Sequence, residues 1–131
     1  MIIGNFIKGI ELKHKNYYFS GLCDNSAKCK KNNIFFAIKG TRIDGNKFIN
    51  HAIQNGAKII ISNQKFEGIK KNILFIRSYN VRKSLSEFAY TIYKKKPKNI
   101  IAVTGTNGKS SVSDFYFQIL KLNKKRVASI G

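Results

Sequence analysis

Acidic residues are scarce in this chain: six Asp and Glu stand against 25 Lys and Arg, a formal charge of +19 at pH 7. Cysteine occurs twice and proline once. No apolar run approaches the roughly 20 residues a membrane-spanning helix needs, so no membrane insertion is expected. The opening MIIGNFIKGIEL is interrupted by Gly4, Lys8 and Gly9. It lacks the charged start and small-residue cleavage site of a secretory signal, and a cytoplasmic location is expected. Cys23 and Cys29 are separated by five residues, a spacing that matches no common zinc or redox signature. With His14 and His51 they could in principle supply four metal ligands. Reduced free thiols are the expectation.

What is present describes a globular protein, with 43% hydrophobic and 12% aromatic residues. A basic surface concentrates polyanions, which raises nucleic acid or an anionic membrane as partners. The cations are dispersed, however, with short clusters at KCKK, KKK and NKKR. Lys, Ile and Asn are abundant throughout, as base-composition bias produces. Aromatics do not interleave with the basic clusters as a base-stacking platform requires. No specific nucleic-acid partner is expected, although a positive field would help to capture an anionic substrate.

Length alone suggests one domain, but the pattern divides in two. NIFFAIKG (33–40), AKIIIS (57–62) and NILFI (72–76) are short apolar runs expected to be strands. Between the first two, residues 46–55 place Phe48, Ile49, Ala52 and Ile53 at helical spacing, with Asp44 as a cap and Gly56 as a left-handed stop. A second helix begins near Asn80 with Val81, Leu85, Phe88, Ala89, Ile92 and Tyr93 on one face. It ends in KKK, where positive charge suits a helix C-terminus, and is broken by Pro97. The fold expected is α/β: a first domain over residues 1–97 and the start of a second over 98–131. In the second, IIAVT and RVASI are expected strands flanking a helix from Lys109 to about Leu122, with Val112, Phe115, Ile119 and Leu122 on one side. One strand–helix–strand unit cannot cover both faces of a sheet, so the chain is expected to be the first part of a longer protein.

Between that strand and helix lies TGTNGKS. Gly105 and Gly108 lack side chains that would keep backbone N–H groups from an anion, and the following helix start adds unpaired N–H groups. Lys109 has the reach for terminal phosphates, and the Ser110 hydroxyl is a candidate ligand for Mg²⁺. Thr106 and Asn107 suit the tight turn, and Ser111 is a further phosphate contact. The general G-x-x-x-x-G-K-[ST] pattern asks for glycine where Val103 stands. Nucleotide binding with Mg²⁺ is nevertheless expected.

TGTNGKS resembles the phosphate loop of the Mur ligases, which dispense with that first glycine. The stretch NSAKCKKNNIFFAIKGTRIDGNKFINHAIQNGAKIIIS (25–62) is similar to the family's amino-terminal pattern, which runs from D-S-R through G-D-x-F to G-A. YNVRKSLSEFAYTIYKKKP resembles the segment bridging to the ATP domain. VTGTNGKSS and VASIG are more like the members that add the third peptide residue than those that add D-alanyl-D-alanine.

The resemblance implies a small substrate-binding domain followed by the beginning of a P-loop ATPase-like central domain. It also implies ATP-dependent ligation of an amino acid, diaminopimelate or lysine, to UDP-N-acetylmuramoyl-L-alanyl-D-glutamate through an acyl phosphate. Gly105, Thr106, Asn107, Gly108, Lys109, Ser110 and Ser111 match the ATP loop, with Lys109 and Ser110 in the catalytic role. Ser26 matches the serine of D-S-R, a contact to the UDP-sugar, and Asp24 falls at another such position. Thr41, Arg42 and Ile43 occupy the loop against the uridine. The aspartate and arginine of D-S-R are Asn25 and Ala27 here, and the G-D pair is Asn32-Asn33. The chain is expected to be a monomer, inactive by itself. The D-alanyl-D-alanine-adding ligase, and a basic nucleotide-binding protein that also takes nucleic acid, are the alternatives.

Overall fold

A computed structural model describes residues 1–7 and 11–130. The chain divides into two compact units, Met1–Lys94 and Lys95–Gly131.

The first unit is built on a five-stranded sheet of β1 (Gly21–Cys23), β2 (Asn33–Phe36), β3 (Ile59–Ser62), β4 (Gly68–Lys70) and β5 (Ile73–Arg77). The spatial order is β1-β2-β3-β5-β4. Four strands run parallel, and β4 joins the edge antiparallel to β5. Every residue of β2 and β3 is buried, as their unbroken apolar runs require of strands covered on both faces.

The two-residue pleat sorts these side chains into two cores. Ile34, Phe36, Ile59, Ile61, Leu74 and Ile76 face one way, onto Val81 and Phe88 of α2 (Val81–Ile92) and onto Ile3 and Phe19. Phe35, Ile60 and Ile73 face the other, onto Ile49 and Ala52 of α1 (Ile49–Gln54) and onto Cys23 and Cys29. Phe88 anchors the first core by stacking on Phe6 at 5.1 Å and meeting Phe36 edge-on at 5.5 Å. The layers are therefore helix, sheet, helix.

Several local expectations hold. The Asp44 carboxylate caps the turn before α1 by accepting from the Asn46 N–H at 2.9 Å. Gly56 ends that helical segment at φ +102°, and Asn80 caps α2 through the Lys83 N–H.

Others are corrected. Phe48 lies in a 3₁₀ turn, Gly45–Phe48, whose tighter winding rotates it off the α1 face into solvent. Tyr93 is the exposed residue at which α2 stops, so it is not part of the buried face. The strand expected to reach Gly40 ends at Phe36, because the Ile38 N–H turns back to the Phe36 carbonyl. Two strands are additional to those expected. β1 is three residues long, and β4 returns into β5 through Lys71 and Asn72, both at positive φ, as a two-residue hairpin requires.

In the second unit the only element among the described residues is α3, Lys109–Leu122, with the expected bounds. The strands expected at residues 100–104 and 126–130 are absent. A strand exists only through a neighbour that takes up its N–H and C=O groups, and neither segment has one. Val112, Phe115, Ile119 and Leu122 of α3 are solvent-exposed.

Candidate functional site

Parallel strands deliver the chain to one edge of the sheet, where crevices between successive loops form ligand sites. The register aligns Cys23 with Phe35, Phe36 with Ile61, and Ser62 with Arg77. Beyond these ends the chain carries Asp24 and Ser26 after β1, the loop with Thr41–Ile43 after β2, Asn63 after β3, and Tyr79–Arg82 after β5. All five candidate substrate residues thus lie in loops on the carboxyl side of the sheet, although none of the five lines the cleft found there. A cleft of about 310 Å³ opens there between Lys39, Asn63, Tyr79, Asn80 and Arg82. None of these five residues is marked as a ligand contact by a sequence motif. Their only signal is their place directly after apolar strands.

The loop after β2 is tied at its base and free at its tip. The backbones of Lys39 and Asp44 pair as an isolated antiparallel β-bridge, in which the Gly40 N–H donates to the Ile43 carbonyl at 2.9 Å and the Gly45 N–H to the Ile38 carbonyl at 2.9 Å. Thr41, Arg42 and Ile43 project from this clasp as exposed side chains. Gly45 is required by close approach, since a Cβ there would lie 2.6 Å from the Ile38 oxygen. Hydrogen bonds from the Asn46 N–H and side-chain amide hold the Asp44 carboxyl below the usual range.

The segment after β1 is equally organised. The Cys23 thiol donates to the Asn25 carbonyl at 2.9 Å, and the Asn25 side-chain oxygen accepts from the Ala27 N–H at 3.0 Å. This starts a 3₁₀ turn, Ser26–Lys28, in which Asn25 makes the turn that an aspartate would make. Ser26 is buried and its hydroxyl meets His51 Nδ1 at 3.0 Å, while Asp24 is exposed. Burial pushes the Cys29 thiol up to about 12, helped by the adjacent Cys23 sulfur and the charge of Asp24. Cys23 and Cys29 share one core, but His51 bonds Ser26 and His14 lies beside Glu11. Among the described residues no group of three or more such side chains is placed to hold a metal.

The candidate phosphate loop, TGTNGKS at 104–110, belongs to the second unit. Gly108 heads α3 at φ +74° and ψ −1°, a left-handed conformation that side chains resist. A Cβ there would meet no atom within 4 Å, so the requirement is conformational rather than spatial. No side chain caps this helix start. The first-turn N–H groups of Lys109, Ser110 and Ser111 lack intrahelical partners and face outward with the positive end of the helix dipole. The Lys109 ammonium folds back over the loop, donating to the Gly105 carbonyl and, at 3.2 Å, to the Thr106 carbonyl. Exposed N–H groups, a primary cation and the Ser110 hydroxyl on one turn fit a phosphate chain and its metal ion.

Residues 18–97 match the model described as Mur ligase family, catalytic domain. The candidate phosphate loop lies beyond that match. The UDP-N-acetylmuramoyl-L-alanyl-D-glutamate–2,6-diaminopimelate ligase of Rickettsia typhi is 44% identical over 83 residues, 63% of this chain and 16% of the relative. The corresponding ligase of Clostridium tetani is 41% identical over 92 residues, 68% of this chain and 18% of the relative. The chain thus spans less than a fifth of the length of either relative. A solved UDP-N-acetylmuramoyl-L-alanyl-D-glutamate–2,6-diaminopimelate ligase superposes with a TM-score of 0.76 at 26% identity, over 100% of this chain and 27% of that one. MurF ligase from Thermotoga maritima, solved in complex with ADP, gives a TM-score of 0.59 at 27% identity, over 77% and 23%. With its sheet, its carboxyl-edge loops and more than half of its residues matching that one model, this chain belongs to the Mur ligase family.

Proposed function

We propose that these residues are the amino-terminal part of an ATP-dependent ligase that adds the third amino acid to UDP-N-acetylmuramoyl-L-alanyl-D-glutamate in peptidoglycan synthesis. The first unit holds the nucleotide-sugar end of that substrate along the carboxyl edge, through Asp24, Ser26, Thr41, Arg42 and Ile43. The second unit is the start of the ATP-binding domain. Gly105, Thr106, Asn107, Gly108, Lys109, Ser110 and Ser111 hold the phosphates, and Ser110 is a ligand of Mg²⁺. When bound, ATP supplies the phosphoryl group that activates the substrate carboxylate, and Mg²⁺ offsets its charge. The chain's own contribution is positioning and charge: first-turn N–H groups orient the phosphate oxygens, and the Lys109 ammonium follows the charge that develops on them. Binding without ligation is the role assigned to the 131 residues alone, in the cytoplasm.

The observation that carries the reading is the left-handed Gly108 heading an uncapped helix with Lys109 next to it, in a chain whose other unit belongs to the Mur ligases. The names of the relatives support the third-residue step. The MurF neighbours favour a second reading, in which the same two sites serve the ligase that adds D-alanyl-D-alanine.

Two-dimensional amide NMR of the 131-residue chain tests it. The UDP-muramoyl dipeptide is expected to shift residues 24–26 and 41–43, and Mg²⁺ with ATP to shift 104–112. ATP shifts scattered over the lysine clusters, or RNA binding that survives moderate salt without any response to the UDP ligand, would overturn it.

A further inference from the structure

Ser26 is 7% exposed, and the only contact to its hydroxyl among the described residues is His51 Nδ1, at 3.0 Å. A third residue decides which of the two donates. Asn55 Nδ2 lies 2.9 Å from the Ser26 carbonyl oxygen and 3.3 Å from His51 Nε2. A carbonyl oxygen only accepts, so the Asn55 atom facing it is the amide NH₂. The same NH₂ lies 3.3 Å from Nε2 and has no lone pair with which to accept, so a hydrogen bond there requires Nε2 to be the acceptor. A neutral imidazole that accepts at Nε2 carries its proton on Nδ1, and Nδ1–H donates to Ser26 Oγ. The Ser26 hydroxyl hydrogen is left without an acceptor among the described residues, although the side chain is more than nine-tenths buried.

This is the reverse of a nucleophilic serine, whose hydroxyl donates to histidine while a carboxylate accepts from the far nitrogen. Here the far nitrogen is met by a donor. We propose that His51 and Asn55 are positioning residues that commit the Ser26 hydroxyl as a hydrogen-bond donor to an acceptor-only oxygen of the substrate. A diphosphate oxygen or a uracil carbonyl provides such an oxygen, and an amino group does not. The inference rests on reading Ser26 as a substrate contact. Its geometric part, the tautomer, is measurable without any ligand.

His51 and Asn55 are both exposed on and just after α1, one helical turn apart and far in sequence from Ser26. Substitution there leaves both cores intact. Asn at position 51 places an amide donor where Nδ1 stands, and Gln places it where Nε2 stands. His51→Asn should keep affinity for the UDP-muramoyl dipeptide within about threefold, while His51→Gln should lose about tenfold, the worth of one directed hydrogen bond. Asn55→Asp replaces the donor facing Nε2 with an acceptor and removes the bond to the Ser26 carbonyl, so the proton should move to Nε2 and affinity should fall at least as far.

The experiment is a long-range ¹H–¹⁵N spectrum of the imidazoles in the 131-residue chain, with amide spectra confirming that each variant is folded, followed by titration with the UDP-muramoyl dipeptide. The Nδ1–H form in the parent, the Nε2–H form in Asn55→Asp and the Asn-over-Gln order at position 51 are expected. An Nε2–H tautomer in the parent, or equal affinities of His51→Asn and His51→Gln, overturns the positioning role while binding persists. No binding by the parent chain overturns the substrate assignment of Ser26, and the positioning role with it.

Discussion

Replacing Gly45 with alanine tests the clasp that presents Thr41–Ile43. The added methyl carbon would sit 2.6 Å from the Ile38 oxygen, 2.7 Å from the Ile38 nitrogen and 2.9 Å from the Ala37 carbonyl carbon. A comfortable carbon–oxygen contact is about 3.3 Å or more, so the loop has to withdraw by roughly 0.7 Å. All three obstructing atoms are backbone, two of them in the turn that ends β2, so no rotamer change relieves the clash. Withdrawal also stretches the Gly45 N–H bond to the Ile38 carbonyl, now 2.9 Å. Overpacking of this kind costs about 1–3 kcal/mol and the lost hydrogen bond about 1 more. For a unit of this size each kcal/mol lowers Tm by about 4–8 °C, so a drop of at least about 8 °C is expected. Thermal unfolding followed by circular dichroism reads it, with tyrosine near-ultraviolet signal as a second probe. A Gly45→Ala protein melting within about 2 °C of the parent, with unchanged amide shifts from 37 to 46, would refute the steric reasoning.

Gly108→Ala meets no neighbour but must hold a left-handed residue at about 1–2 kcal/mol. It should leave the melting of the first unit unchanged while weakening ATP binding roughly tenfold, measured by calorimetry. Lys109→Ala removes the ammonium over the loop and should cut ATP affinity by at least about tenfold, with UDP-ligand binding unaltered in the same titrations. The Cys29 thiol, held protonated up to about 12 against an ordinary value of 9.0, makes stability fall with rising pH. Below the ordinary value both states are protonated and nothing is lost; above it the unfolded chain releases a proton that the folded chain retains. Melting temperatures at pH 8 and 10 should therefore diverge more for the parent than for Cys29→Ala. The Asp44 carboxyl, held low by Asn46, acts oppositely: its contribution is complete above the ordinary carboxylate value and disappears as pH falls through the lowered one. Asp44→Asn should flatten the acid limb of the melting profile.

The legible parts of this fold are those in which a local pattern carries a tertiary demand. NIFF, IIIS and ILFI announce central strands because burial on both faces leaves no polar position to interrupt them. Lys109–Leu122 is legible because glycine, lysine and serine in that order fix where the helix begins. β1 is hidden because a three-residue edge strand buries little, and Gly21-Leu22-Cys23 has no run to show. β4 is hidden because Lys71-Asn72 is a weak turn signal, and its positive φ values come from pairing with β5. Of the candidate site, Ser26 and the loop 41–43 are proposed on the resemblance alone. His51 and Asn55 are not legible in the sequence, since a contact across 25 residues of chain leaves no local trace. The expected strands at 100–104 and 126–130 show the converse: a strand-like composition promises a ladder only where there is something to pair with.

The apolar face of α3 has a colloidal consequence. Phe115 and Leu122 are 63% and 82% exposed, and Ile100 and Ile130 of the same unit 80% and 98%. Such patches attract one another at contact range, while a charge of +19 keeps molecules apart at longer range. The repulsion extends about 10 Å at 0.1 M salt but only about 3 Å at 1 M, and the attraction of apolar surface is not screened at all. Salt, which ordinarily disperses a basic protein from its contaminants, should here drive the molecules together. Low ionic strength is the condition in which this chain should be handled.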